Sequence, residues 1–193
     1  MKPAIFIDRD GVLIDESEYP IVLPEQVRLL PGVAQAMRRL NDAAWPVIVI
    51  TNQAIIARGM ATEEQVAQVH RRMADLLQEE SGARIDGLYL CPHHPNPEQI
   101  ERVAAYCLEC DCRKPKPGLL LRAAQDMEID LQESYFIGDS QSDVVAGHRA
   151  GVNTILLTES GKCGADQAAS VGPDYRAATL SDAVQIVLSM KHG

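Results

Sequence analysis

Ala4-Ile5-Phe6-Ile7-Asp8-Arg9-Asp10-Gly11 is an apolar, β-branched run that ends in two carboxylates and a glycine. The run reads as a short buried strand. In an open α/β sheet, ligands sit at the carboxyl ends of the strands. Two aspartates there are costly unless a cation or a partner uses them. The bland alternative is a strand running into a turn, since Asp and Gly favour turns.

Outward from this run, apolar strands alternate with helical patterns. Pro46 to Ile50 reads as a second strand ending at Thr51-Asn52, and Ile85 to Leu90 as a third. Tyr135-Phe136-Ile137 reads as a fourth, ending at Gly138-Asp139, and Thr154 to Leu157 as a fifth. A last strand is expected near Asp174-Tyr175. Between them lie helical periods, among them Val66, Val69, Met73, Leu76 and Leu77 behind the capping box Thr62 to Gln65. A helix with Val33, Ala36, Met37 and Leu40 after Pro31-Gly32, one over Gly118 to Met127, one with Val144, Val145 and Ala150, and one over Leu180 to Met190 complete the helices. The alternation predicts an α/β fold, a Rossmann-like parallel sheet with helices on both faces. Three strand ends then converge: Asp8 with Asp10, Thr51 with Asn52, and Asp139.

The 193 residues suit a single domain, 1–193. A net charge of −9 argues against nucleic acid or an anionic membrane as the main partner. No apolar stretch approaches the ~20 residues of a membrane span. Met1-Lys2-Pro3 runs straight into the strand without signal-peptide organisation, so a cytoplasmic location is expected. Nothing demands a multimer, and a monomer is the expectation.

Phosphoryl transfer needs the residue types found at these strand ends. A carboxylate nucleophile forms an aspartyl-phosphate. Asp8 and Asp139 suit Mg²⁺, a hard ion that takes oxygen ligands. Asp10 emerges from the same strand end and can protonate a leaving oxygen. The Thr51 hydroxyl and a lysine, best Lys114 in Cys112-Arg113-Lys114-Pro115, can stabilise the phosphoryl oxygens. Asp143, one turn into the next helix, can hold a metal-bound water.

Residues 91–113 form a long loop rich in Pro, Cys and His, and hold four of the five cysteines. Cys91-x-His93, sixteen residues, then Cys110-x-Cys112 offers four ligands for tetrahedral Zn²⁺. Cys107 and His94 compete as ligands, and Cys107-x-x-Cys110 also has metal-binding spacing. The alternative is a set of reduced thiols with His93 solvated. Arg58-Gly59 fits either a substrate-phosphate contact or a solvated loop cation. His70 and His148 read as surface or packing residues. Ser160-Gly161-Lys162 reads as a turn with a possible substrate contact, and Cys163 as an isolated thiol.

The motifs Asp8-x-Asp10-Gly11, Thr51, Lys114 and Gly138-Asp139-x-x-x-Asp143 stand in the order found in the haloacid dehalogenase superfamily of phosphohydrolases, which the chain resembles. The resemblance implies Asp8 as nucleophile and Asp10 as general acid/base. It implies Thr51 and Lys114 as phosphoryl stabilisers, and Mg²⁺ on Asp8, Asp139 and the Asp10 carbonyl. Thr51-Asn52-Gln53, Ala57-Arg58-Gly59, Cys91-Pro92-His93-His94-Pro95 and Cys110-Asp111-Cys112-Arg113-Lys114-Pro115 narrow it to the D-glycero-D-manno-heptose-1,7-bisphosphate 7-phosphatase branch, whose framework histidinol-phosphate phosphatases share. That branch implies Zn²⁺ on Cys91, His93, Cys110 and Cys112, and a substrate contact from Arg113 next to Lys114; Asn52, Arg58 and Lys114 are the other expected substrate contacts. The expected partner is a small phosphorylated sugar. Gln53-Ala54-Ile55 and Glu18-Tyr19 depart from the Gln-Ser-Gly and Gly-Tyr common there, in loops bordering the substrate pocket. Residues 12 to 30 and 91 to 113 are loop-sized, so no separate cap domain is expected. A receiver-type phospho-accepting switch uses a similar Asp, Thr and Lys set. A long-lived aspartyl-phosphate is at odds with a general acid at Asp10.

Overall fold

The strand that opens the chain lies in the middle of the sheet. In the computed structural model, which describes residues 1–96, 102–159 and 171–190, β1 (Ile5–Ile7) is flanked by β2 (Val47–Asn52) and β4 (Tyr135–Gly138). With β3 (Gly87–Cys91), β5 (Asn153–Leu157) and β6 (Tyr175–Ala177), the order is β3-β2-β1-β4-β5-β6. Every pairing is parallel, and Ile5 aligns with both Val47 and Tyr135. Strand order reverses between β1 and β4, the place where open α/β sheets form their ligand crevice. Asp8 and Asp139 stand just beyond those two strands.

Period-two alternation divides the apolar strand residues between two cores. Ile5, Ile7, Val47, Val49 and Ile137 pack against α1 (Val33–Asp42), α2 (Glu63–Ser81) and α5 (Leu180–Met190). Phe6, Ile48, Ile50 and Phe136 pack against α3 (Gly118–Met127) and α4 (Gln141–Ala150). Burial on both faces explains why these strands read as continuous apolar runs.

Strand bounds differ from expectation most clearly at β3 and β6. β3 begins at Gly87 because the Asp86 carboxylate accepts the Val47 N–H at 2.8 Å, and it extends to Cys91 opposite Asn52. β6 begins at Tyr175 because Asp174 turns its carboxylate to the backbone N–H and hydroxyl of Thr154. The capping box on α2 forms as expected, and Gly82, at φ 71°, ends that helix in the left-handed region that favours glycine. The acidic Glu79 at the unfavourable end of α2 pairs with Arg72.

Neither long connection builds a core of its own among the described residues. That between β1 and α1 carries one 3-10 turn, Pro24–Gln26, and that between β3 and α3 carries another, Ala104–Tyr106. Among the described residues there is therefore no separate cap over the strand ends. No described helix is long and apolar enough to cross a membrane. Ser160-Gly161-Lys162 and Cys163 lie outside the described residues.

Candidate active site

Four elements deliver one buried charge cluster. Asp8 leaves β1, Asp139 leaves β4, Asp143 sits in the first turn of α4, and Lys114 comes from the loop before α3. Lys114 Nζ lies 2.8 Å from Asp8 Oδ1, 2.7 Å from Asp143 Oδ1 and 3.1 Å from the Ile50 carbonyl. The ammonium thus donates to the Ile50 carbonyl and forms ion pairs with two carboxylates. Burial pulls the Lys114 pKa down, but the negative charges of Asp143 and Asp8 more than reverse this and raise it. The ammonium also lies 5.6 Å from the Phe136 ring centroid.

Carboxylate oxygens of Asp8, Asp139 and Asp143 lie within 4.8 Å of one another, and all three residues are buried. One ammonium, on Lys114, pairs with two carboxylates, Asp8 and Asp143. Burial pushes the Asp8 carboxyl up to about 7 even though Lys114 opposes the shift. A divalent, oxygen-seeking cation fits both the donor set and the surplus charge. Gly138 makes the approach possible: a Cβ there would lie 2.4 Å from that of Asp143.

Asp10 has different neighbours. Its Oδ1 accepts from Arg9 Nε at 2.9 Å and Arg9 Nη2 at 2.7 Å, and its Oδ2 accepts from Gln53 Nε2 at 2.7 Å. Gln53 Nε2 also reaches Thr51 Oγ1 at 2.9 Å. The Arg9 backbone N–H donates to Asp8 Oδ1 at 2.7 Å, and Arg9 Nη1 lies 2.9 Å from His70 Nε2. Burial, then the Arg9 charge, hold the His70 pKa down at about 3. Asn52 clamps the lysine loop, its Nδ2 donating to the Lys114 carbonyl and its Oδ1 accepting the Lys114 N–H, both at 3.1 Å.

The second cluster gathers the Sγ atoms of Cys91, Cys110 and Cys112 with His93 Nδ1. Five of the six donor-to-donor distances run from 3.2 to 3.7 Å, and all lie within 4.8 Å. A tetrahedron with Zn–S of about 2.3 Å has edges of roughly 3.8 Å, close to this spacing. The Cys91 thiol pushes the Cys112 thiol pKa up, and burial raises that of Cys110, so a cation is needed to keep these sulfurs as thiolates. The donor set suits zinc. Cys107 turns away, toward the Val103 carbonyl at 3.2 Å, and the His94 ring accepts the Asn96 N–H. Neither joins the cluster.

Arg113 extends Nη1 to the His93 carbonyl at 3.2 Å. Arg58 reaches the Tyr19 hydroxyl at 3.1 Å, joining the loop after β2 to the loop after β1, and its Nε is buried.

Comparison with known proteins follows the same lines. The HAD-hydrolase-like family model matches residues 111–183. A D-glycero-beta-D-manno-heptose-1,7-bisphosphate 7-phosphatase from Rhodopseudomonas palustris is 44% identical over 78% of this chain and 81% of its own length. The chain belongs to this haloacid dehalogenase-like phosphatase family. A D-glycero-D-manno-heptose-1,7-bisphosphate 7-phosphatase from Thermosynechococcus vestitus is 42% identical, over 95% of this chain and 94% of its own. A crystal structure of the D,D-heptose 1,7-bisphosphate phosphatase of B. bronchiseptica with magnesium and phosphate matches at a TM-score of 0.83 and 30% identity, covering 98% of this chain and 99% of that one.

Three residues beside the site have no site role in the sequence reading: Gln53, Arg9 and His70, the last of which reads there as a surface or packing residue. Arg9 carried a signal, an arginine at a strand end between two aspartates. His70 carried a weaker one. It lies four residues after Val66 and three before Met73, on the apolar face of α2, where a polar ring needs a partner.

Proposed function

We propose that the chain is a Mg²⁺-dependent phosphomonoesterase that removes the 7-phosphate of D-glycero-D-manno-heptose 1,7-bisphosphate through an aspartyl-phosphate. The single observation that carries the chemistry is the division between Asp8 and Asp10. Two carboxylates leave one strand end, yet one lies against Lys114 and the other is held by Arg9 and Gln53. Different surroundings suit different tasks. The names of the relatives supply the substrate.

Asp8 attacks phosphorus, its carboxylate oriented by the Arg9 N–H and Lys114 Nζ on Oδ1. The ester P–O bond breaks, and the leaving oxygen takes a proton from Asp10. Asp10, now a carboxylate, takes a proton from water as that water attacks the aspartyl-phosphate. Phosphate leaves and Asp8 is regenerated. Thr51 stands beside Gln53 where the phosphoryl oxygens need donors. Lys114 keeps a positive charge beside the attacking carboxylate. Bound by Asp8, Asp139 and the Asp10 carbonyl, Mg²⁺ would neutralise charge between the nucleophile and the phosphoryl oxygens. Asp143 holds Lys114 and lies beside that site. Arg58 and Arg113 would contact the substrate, Asn52, which holds the Lys114 backbone, would border it, and Zn²⁺ on Cys91, His93, Cys110 and Cys112 would hold the 91–113 loop in shape. The proposal includes a single-domain, cytoplasmic, monomeric enzyme over 1–193.

The test is a kinetic panel of both heptose 1,7-bisphosphate anomers, histidinol phosphate and fructose 1,6-bisphosphate, with phosphorus NMR to identify the cleaved ester. A heptose bisphosphate should lead, losing the 7-phosphate. Histidinol phosphate ahead by orders of magnitude in kcat/KM would overturn the substrate. Asp8→Asn should abolish turnover in a folded protein, and Asp10→Asn should lower it by ~10²- to 10⁴-fold. A stable phospho-Asp8 without phosphate release would point to a switch instead.

A further inference from the structure

We infer that His70 is a positioning residue for proton transfer, holding Asp10 in place through Arg9; the inference rests on the phosphatase reading above.

Arginine has only donors, so where Arg9 Nη1 meets His70 Nε2 at 2.9 Å the histidine must accept. The ring is therefore neutral, with its proton on Nδ1. A protonated ring would set two donors face to face. Both partners are buried, Arg9 at 2% exposure and His70 at 8%, so water does not supply a substitute acceptor cheaply.

The consequence falls on Asp10. Arg9 presents Nε and Nη2 to one oxygen, Oδ1, which saturates both of its lone pairs. Gln53 gives a single N–H to Oδ2, leaving one lone pair there. Oδ2 is thus the oxygen that carries the proton. When the ester bond breaks, its electron pair stays on the leaving oxygen, which takes that proton from Oδ2. The direction in which Oδ2 points depends on the plane of the guanidinium. Two contacts to a single oxygen leave that plane able to tilt, and the third contact, to a ring fixed on α2, removes the freedom. Arg9 also gives its backbone N–H to Asp8 Oδ1, so the residue that His70 anchors touches nucleophile and acid together.

The test uses the property that separates acid catalysis from general damage. A sugar alkoxide leaves poorly without a proton, whereas nitrophenolate leaves without one. The ratio of kcat/KM for heptose 1,7-bisphosphate to that for p-nitrophenyl phosphate is independent of how much of a preparation is folded. His70→Leu, which removes the acceptor, should lower kcat/KM for the sugar ester by roughly ten- to hundred-fold and leave p-nitrophenyl phosphate within about threefold, since positioned acid catalysis is the part that is lost. KM for the sugar should hold. His70→Gln, whose carbonyl oxygen can accept from Nη1, should restore the ratio. If His70→Leu yields no folded protein, His70→Asn, polar but too short to reach Arg9, should show the same skewed ratio. Equal losses on both esters, no loss, or a glutamine variant that behaves like leucine would each overturn the inference. A wild-type chain that cleaves neither ester in Mg²⁺ removes the functional reading, and this inference with it. Wild-type activity with an unskewed ratio removes the inference alone.

Discussion

Asp143 binds Lys114 Nζ with one oxygen, at 2.7 Å, and caps its own helix with the other, which accepts from the Ser140 N–H at 3.1 Å and the Ser140 hydroxyl at 2.6 Å. A single carboxylate therefore fixes both the start of α4 and the position of the loop lysine. Because Lys114 also meets Asp8, the geometry of the nucleophile depends on that helix cap.

Removing Lys114 should be costly. Lys114→Met leaves Asp8 and Asp143 buried without their counter-charge, and breaking a buried pair in this way costs about 3–5 kcal/mol. Urea unfolding in the presence of a chelator measures it. An unchanged midpoint would show that Lys114 does not neutralise this cluster.

Gly138 has no room for a side chain. In Gly138→Ala the new Cβ would stand 2.4 Å from the Cβ of Asp143, forcing the first turn of α4 away from Lys114. Overpacking of this kind costs about 1–3 kcal/mol. Activity should fall with stability, because the displaced residue is Asp143. A fully active Gly138→Ala protein would contradict the close approach.

The cysteine cluster is tied to the phosphate site through the backbone. The Gln53 N–H donates to the Cys91 carbonyl at 2.7 Å, and the Gly118 N–H donates to the Asp111 carbonyl, between two cysteines of the cluster, at 3.0 Å. The purified protein should carry one zinc per chain by elemental analysis. Zinc-free Cys110→Ser should lose roughly ten-fold or more in kcat, the scale on which groups supporting a metal site act. Unchanged kinetics would separate the metal from Lys114 and Gln53.

His70 predicts a stability change with pH. Its folded pKa, about 3, lies below the ordinary histidine value near 6.5, mainly because burial disfavours the charged ring. Between those values the unfolded chain binds the extra proton. The contribution is therefore fully present above about pH 6.5 and is lost as pH falls toward the folded pKa, by at most ~1.4 kcal/mol per pH unit. Wild type and His70→Gln, unfolded in urea at a series of pH values, should diverge over this window and run parallel above it. Parallel curves throughout would mean that the ring protonates alike in both states.

The strand ends were legible because each follows an apolar run, and a polar residue after such a run has one place to go. Asp8, Thr51 and Asp139 all stand at that edge. The partners of Asn52 were not legible. Its amide is expected at the substrate by resemblance, whereas in the fold both its polar atoms hold the Lys114 backbone, 62 positions along the chain. Cys107 has metal-binding spacing with Cys110, yet it hydrogen-bonds the Val103 carbonyl. Spacing gives reach along the chain but not the direction in which a side chain leaves a loop.

The sequence by itself determined the parallel α/β class, the strand and helix order, and the residue types available at the catalytic edge, because these follow from local apolar periodicity. Tertiary structure alone decided the pairings: Lys114 with both Asp8 and Asp143, three thiols and one imidazole drawn from a larger set, and His70 against Arg9 at a separation of 61 residues. The physical reason is that such contacts depend on how each helix rotates about its axis as it packs on the sheet. That rotation is set by the burial of whole faces, and it carries each polar side chain to a partner which no local pattern names.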